Sequence, residues 1–184
     1  RGERTVSVDE QPHKANLEKI PQLRPAFAEN GTITPANSSS ISDGASALLL
    51  ASEAAVEAHG LTARARIVAH SRNSLAPEAF TLAPIGAAED VLAKAGWTVA
   101  DVDLWEINEA FAMVTMLTMD ALKLDPACVN VHGGACAQGH PIGSTGSRII
   151  VTLMHALEHY GKKRGVAALC IGGGEATAVA IELV

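Results

Sequence analysis

The sequence predicts an α/β chain, with a mixed, mostly parallel sheet and helices on both of its faces. Two observations lead there. From Asp43 onward, apolar runs of strand length alternate with segments whose apolar residues recur at helical spacing. Glycine or proline stands at several of the junctions, where a helix must stop or start. Composition agrees: 48% of the 184 residues are hydrophobic and 18% charged, which is too apolar for a disordered chain.

The elements follow in order. Residues 1 to about 43 carry Pro12, Pro21, Pro25, Pro35 and the polar run Asn37-Ser38-Ser39-Ser40, and read as connecting chain with short extended pieces. Ala45 to Leu50 is a continuous apolar run, read as a buried strand. Ser52–His59 reads as a helix closed by Gly60. Ala65–Ala69 is the next strand. Pro84 opens a helix with Ile85, Ala88, Val91, Leu92 and Ala95 on one face, and Gly96 ends it. Val102–Ile107 is a strand, followed from about Glu109 by a helix carrying Phe111, Val114, Leu117 and Ala121. A brief strand, Val129–Val131, enters a glycine-rich loop from Gly133 to Gly146. Ile149, Ile150, Leu153 and Leu157 then mark a long helix ending near Gly161. Val166–Ile171 and Ala176–Val184 flank Gly172-Gly173-Gly174 and read as a hairpin, placed at an antiparallel edge of the sheet.

Charge and composition narrow the function. A net charge of −6 speaks against a general nucleic-acid binder. No apolar run reaches the length of a membrane span, and no opening stretch reads as a signal peptide. Three widely spaced cysteines make no disulfide framework and suit a reducing, cytoplasmic setting. The chain opens on Arg1 and its first methionine is Met113, so it is expected to be a piece of a longer protein. Cys128, His132, Cys136 and His140 are spaced by four, but Gly133, Gly134, Gly139 and Pro141 break any helix that would align them, so no metal is expected. Gly143-Ser144-Thr145-Gly146 lacks the lysine of a phosphate loop. Its glycine amides remain open to an anion or a thioester.

In such sheets chemistry collects beyond the carboxyl ends of the strands. Three loops there hold candidates. Cys170 ends an apolar strand before three glycines. It reads as a nucleophile or acid/base, or equally as a small buried core residue. His140, in Gly139-His140-Pro141-Ile142-Gly143, is kept out of helix by the following proline and suits proton transfer. Asn108, in Asn108-Glu109-Ala110-Phe111-Ala112, reads either as a donor to a water or an oxyanion, or as a helix N-cap. Glu109 in a first helical turn would favour the helix dipole whatever its function.

Taken together, four strings resemble the carboxyl-terminal half of the thiolases, which transfer acyl groups between coenzyme A thioesters. Gly31-Thr32-Ile33-Thr34 through Asn37-Ser38-Ser39 and Ser42-Asp43-Gly44 resembles GTVTAGNAS…NDGA. Asn108–Ala112 is NEAFA. Asn130-Val131-His132-Gly133-Gly134-Ala135 through Gly139–Gly143 resembles NGGA…GHPIG, and Cys170–Gly174 is CIGGG. The resemblance implies residues 1–24 as the tail of a connecting region and 25–184 as the carboxyl-terminal domain, one half of a five-layer αβαβα body whose amino-terminal half is absent here. It implies an acyltransferase that makes or cleaves acetoacetyl-CoA or 3-ketoacyl-CoA by ping-pong chemistry. The acyl-CoA thioesters are substrates, there is no separate cofactor, and the intact protein is a homodimer or homotetramer. His140 would activate a nucleophilic cysteine of the missing half and, with a water held by Asn108, stabilise the thioester oxyanion. Cys170 would be the acid/base, a cysteine of lowered pKa beside a histidine, and the Gly172 amide would serve a second oxyanion hole. Ser39 would lie near the pantetheine arm and Phe111 would wall its tunnel.

Departures are local. Cys136 stands where an apolar residue is usual and is read as structural, and His132 replaces a more frequent asparagine. Thr81-Leu82-Ala83-Pro84 replaces a glycine-rich MGxGP, which alters the expected acyl pocket. No cysteine here stands in the family's nucleophile motif, so the chain alone is expected to be inactive. The competing readings are a non-catalytic CoA-binding or dimerisation module and, more weakly, a cysteine hydrolase acylated on Cys170.

Overall fold

The computed structural model describes residues 2–3, 5–9, 11, 13 and 15–184. Arg1 and Pro12 of the expected connecting tail lie outside the described residues. Among the described residues of that tail, Leu17–Gln22 and Pro35–Asn37 form short 3-10 turns, in keeping with its prolines.

Helix α1 spans Glu53–Ala58, and the Ser52 hydroxyl caps it by accepting from the Ala55 amide. Strand β1, Ala65–Ser74, leads to helix α2, Ala83–Ala95, which Gly96 ends in the left-handed conformation. Then come strand β2, Leu104–Ile107; helix α3, Ala112–Leu122; a single turn α4, Ala135–Gln138; and helix α5, Thr145–His159. Strands β3, Arg164–Cys170, and β4, Glu175–Leu183, close the chain.

The four strands form one sheet in the order β1-β4-β3-β2. Alternation along β2 divides the core. Trp105 and Ile107 point to one side, with Ala83, Ala87, Ala88 and Val91 of α2 and with Ala176, Ala178 and Ala180 of β4. Leu104 joins Ala167, Ile181 and the α5 stripe Ile149, Leu153, Ala156 and Leu157 on the other. Helices therefore cover both faces, and small residues let them lie close. A Cβ on Gly165 of β3 would stand 2.7 Å from Leu153. No helix among the described residues is long and apolar enough to cross a membrane.

The sheet is mixed as expected, but it is not mostly parallel. Only β2 and β3 pair parallel, because a helical crossover joins them; β3–β4 is a hairpin, and β4–β1 is also antiparallel. The hairpin is also not at an edge. Strand β1 lies outside β4 over the whole register from Ala65↔Leu183 to Ser74↔Glu175. Periodicity identifies a strand, not its partner, and β1 and β4 lie far apart in sequence.

Four further expectations change. Val129–Val131 is not a strand: Val129 makes an isolated parallel bridge to Trp105. Ala45–Leu50 forms no strand: it is irregular, with Leu49 84% and Leu50 69% exposed. No strand edge pairs with it among the described residues. It is held instead by the Ser46 hydroxyl, 2.6 Å from both the Ser144 and Ser147 hydroxyls at the start of α5. Helix α3 starts at Ala112, so Asn108 is not its cap. Its buried side chains are Val114, Thr115 and Thr118, with Ala121 exposed.

Gly174, in the β3–β4 turn, has φ +101°, and a Cβ there would strike the backbone of Leu75–Pro77. Gly174→Ala is expected to destabilise the protein by roughly 1–3 kcal/mol from backbone strain alone, with the clash adding to it. Chemical denaturation against the wild type measures this.

Candidate active site

Because β2 and β3 run parallel, their carboxyl ends meet at one end of the sheet. Asn108 follows β2 there, its amide donating to Ala168 O at 2.9 Å, and Cys170 closes β3 beside it. The Gly139–Thr145 loop brings His140 to the same place. The His140 amide donates to Ser40 O at 2.9 Å, and its ring nitrogens lie 3.4 Å (Nε2) from Asn108 Nδ2 and 2.7 Å (Nδ1) from Thr145 Oγ1. The Thr145 hydroxyl also lies 3.0 Å from Pro141 O. Its single proton goes to that carbonyl, so Nδ1–H donates to Thr145 and the Nε2 lone pair faces the Asn108 amide. That is the tautomer a general base needs at Nε2. Gly139, at φ +90°, lets the loop pass where a side chain would meet the Ser42 hydroxyl.

Burial, and then the nearby Arg148 guanidinium, hold His140 below the ordinary histidine range, favouring the neutral ring. Cys170 is 8% exposed, and its burial pushes the thiol up. The expected lowered thiol is therefore not found: apolar walls outweigh the one opposing backbone hydrogen bond. Cys136 is pushed up to about 11 by burial and by the Glu109 carboxylate.

The four-spaced residues scatter. The Cys128 thiol donates to Asp125 O, His132 packs on His159 and Tyr160, Cys136 sits on Glu109, and His140 reaches Asn108. Glu109 is a tie between loops rather than a first-turn residue. It accepts from Asn130 Nδ2 at 3.1 Å and from the Cys136 amide at 3.1 Å, and Gly134 leaves no room for a Cβ against it. Asn130, at φ +47°, bonds both the amide and the carbonyl of Ile107 at 2.8 Å. The sequence reading gives no role to Glu106 or Arg148, and it meets Thr145 and Asn130 only as members of longer strings. Only Asn130, a left-handed asparagine ahead of glycines, carries a local signal.

Gly172 lies in the exposed β3–β4 turn, and a Cβ there would meet nothing within 4 Å. Ser39 and Phe111 come together beyond Asn108. The Ser39 amide and hydroxyl both donate to Ala110 O, at 3.1 and 3.0 Å, and Ser38 pairs with Phe111 in an isolated bridge. The Phe111 ring meets Phe27 and Phe80 edge-on, at 5.9 and 6.3 Å. A cleft of about 360 Å³ runs between Ser42–Ser46 and Pro141–Ser144. None of His140, Asn108 or Cys170 lines it, so the reactive geometry and not the cleft defines the site.

Behind His140 lies a buried ion pair. Glu106, 2% exposed, shares the Leu104 face of β2 and stands 3.7 Å from Arg148 Nη1 of α5. Burial, less an offset from Arg148, raises the Glu106 carboxyl to about 7. A raised acid contributes stability that is fully present below its unfolded value and is lost as pH rises through about 7. Thermal unfolding at pH 5 and pH 8 should therefore show Glu106→Gln gaining on the wild type as pH rises, by on the order of 3 kcal/mol.

The sequence matches two family models, "Thiolase, C-terminal domain" over residues 61–183 and "Thiolase, N-terminal domain" over residues 1–54. Their division falls between residues 54 and 61, further along than residue 25. Cytosolic acetyl-CoA acetyltransferase of Mus musculus is 47% identical over 185 residues, covering 99% of this chain and 47% of the mouse protein. The crystal structure of the Bacillus anthracis acetyl-CoA acetyltransferase superposes with a TM-score of 0.91 at 40% identity, covering 100% of this chain and 48% of that one. Acat5 thiolase from Ascaris suum, in complex with coenzyme A, gives 0.87 at 40%, covering 97% and 47%. The chain spans about half the length of the curated relatives it matches. A family model over residues 61–183, and a fold shared with solved members, show that the chain belongs to the thiolase family.

Proposed function

We propose that this chain supplies the acid/base and oxyanion-binding half of an acetyl-CoA acetyltransferase or 3-ketoacyl-CoA thiolase. The observation that carries the reading is His140, held neutral between Thr145 and Asn108 at the strand end that also carries Cys170. In thiolysis, His140 Nε2 takes the proton of a nucleophilic cysteine borne outside these residues. The thiolate attacks the 3-keto carbon, and a water held by Asn108, with His140, stabilises the oxyanion. The C2–C3 bond breaks, and the leaving enolate takes its proton from Cys170, whose burial keeps the thiol protonated. Coenzyme A then gives its thiol proton to the Cys170 thiolate and attacks the acyl-enzyme, releasing the shortened acyl-CoA. The Gly172 amide, unencumbered in its turn, serves the second oxyanion, and Ser39 with Phe111 lies along the pantetheine arm. CoA thioesters are substrates, and no separate cofactor enters.

Exposed apolar side chains support a body larger than this chain: Ile41 is 92% exposed, Ile142 71% and Met116 65%. In this reading they meet the nucleophile-bearing half and a second copy, giving a homodimer or homotetramer. A cytosolic mouse relative supports a cytoplasmic location. Assaying acetoacetyl-CoA thiolysis with residues 1–184 alone, and with the same residues joined to a cysteine-bearing thiolase half, tests the proposal. Turnover is expected only in the joined protein. Turnover by the chain alone contradicts the division of labour, and none in either form favours a non-catalytic binding or dimerisation module.

A further inference from the structure

Three serine hydroxyls meet at the start of α5. Ser46 Oγ stands 2.6 Å from Ser144 Oγ, 2.6 Å from Ser147 Oγ and 3.1 Å from Ser144 O. Ser147 Oγ lies 3.0 Å from Ser144 O. The three protons close a ring: Ser144 donates to Ser46, Ser46 to Ser147, and Ser147 to Ser144 O. Ser144 holds the N-cap position of α5, yet its hydroxyl accepts from no amide of that helix. A serine there ordinarily caps its own helix. This one, 8% exposed, turns to Ser46 instead.

Ser46 lies within the residues that match the amino-terminal thiolase model, whereas α5 lies within the carboxyl-terminal one. From Ser40 to Ser46 the chain runs as a strap along the His140 loop. At one end Ser40 O accepts from the His140 amide at 2.9 Å, and Ile41 pairs with His140 in a parallel bridge. Further along, Gly44 lies so near Pro141 that a Cβ would stand 2.8 Å from its ring, and the Ser42 hydroxyl fills the space beside Gly139. At the other end is the serine ring, next in the chain to Thr145, whose hydroxyl lies 2.7 Å from His140 Nδ1. The strap therefore reaches His140 twice, through the backbone and through the first turn of α5.

We propose that Ser46 is a positioning residue for His140: by fastening the strap to α5, its hydroxyl keeps Thr145 on Nδ1 and the Nε2 lone pair on its line to the reacting thiol. This rests on His140 being the base, as proposed above. Packing alone does not call for the hydroxyl. Ser46 stands between Ala45 and Ala47, and a third alanine would fill the same place less one oxygen. Apolar contact is non-directional, whereas three hydrogen bonds fix an angle as well as a distance. Direction matters at a base, where a displacement of about 1 Å can cost on the order of 10²-fold in rate.

The test uses the intact enzyme carrying this chain. Ser46→Ala should lower kcat for acetoacetyl-CoA thiolysis by about tenfold and leave KM within about twofold of the wild type. With nitrogen-15-labelled histidine, and the His140 signals assigned by their loss in His140→Asn, the neutral wild-type ring should carry its proton on Nδ1 alone, and Ser46→Ala should show both tautomers. Ser144→Ala, which opens the ring from the α5 side, should do the same, and the double variant should lose no more than either single one. A single tautomer in Ser46→Ala, a kcat within twofold of the wild type, losses that multiply in the double variant, or a loss confined to KM each overturns the proposal. If Ser46→Ala does not fold, the kcat and the tautomers of Ser144→Ala decide by the same criteria. If His140→Asn keeps full acyl-transfer activity, the underlying functional reading fails instead, and the tautomers still decide whether Ser46 orients the ring.

Discussion

Replacing His140 with asparagine in the intact enzyme is expected to lower kcat/KM for acetoacetyl-CoA thiolysis by about 10³-fold or more. Asparagine keeps a polar group near Asn108 and Thr145 but has no lone pair that can take a thiol proton at neutral pH. Without it the nucleophile stays protonated, and acyl-enzyme formation stops with turnover. The wild-type pH profile follows from the same geometry. Burial and Arg148 hold the ring below the ordinary histidine range, so activity persists below that range and falls only as pH drops through the lowered value. Stability has the same sign: the His140 contribution is complete above the ordinary value and is lost as pH falls through the folded one. Steady-state kinetics with a far-UV dichroism check of folding measure both. A folded variant within tenfold of the wild type removes His140 from the chemistry.

Cys170→Ala should cost as much in turnover, but at a different step. Cleaving or forming the C2–C3 bond requires a proton to be given to, or taken from, a weak carbon acid. Removing the group that handles it is expected to lower kcat for condensation by about 10³-fold. Acylation by acetyl-CoA is another matter, because a coenzyme A thiolate leaves far more easily than an enolate. The variant should therefore still take up an acetyl group and hold it, whereas His140→Asn should not. Rapid quench with radiolabelled acetyl-CoA separates the two. Equal loss of acylation in both variants would place Cys170 in the first half-reaction.

The candidate site residues are legible because their signals are local. His140 is pinned by the proline after it, Cys170 stands at a strand end before glycines, and Asn108 ends β2; the structure brings all three to one end of the sheet. Helices α2 and α5 were legible from their stripes and their glycine stops. What the sequence concealed depends on contacts between distant residues. Nothing near Ala65 announces that β1 pairs with β4 a hundred residues on, so a sheet with two antiparallel pairings was read as mostly parallel. Leu48-Leu49-Leu50 has the composition of a buried strand but finds no ladder among the described residues. The Cys170 thiol departs from expectation for a related reason. A histidine in the same site suggested a lowered pKa, but the walls of β3 desolvate the sulfur more than anything opposes it. The raised thiol bears on the proposed mechanism, since a thiol held protonated is ready to act first as an acid.

In the proposed function, these residues supply proton transfer and oxyanion donors to a nucleophile they do not contain. Locating the acetyl group on the intact enzyme, by peptide mass mapping after brief exposure to acetyl-CoA at neutral pH, tests it most directly. A thioester is expected on a cysteine outside residues 1–184, with Cys128, Cys136 and Cys170 unmodified. An acetyl group on Cys170, formed at the rate of turnover, would contradict it and make Cys170 the nucleophile.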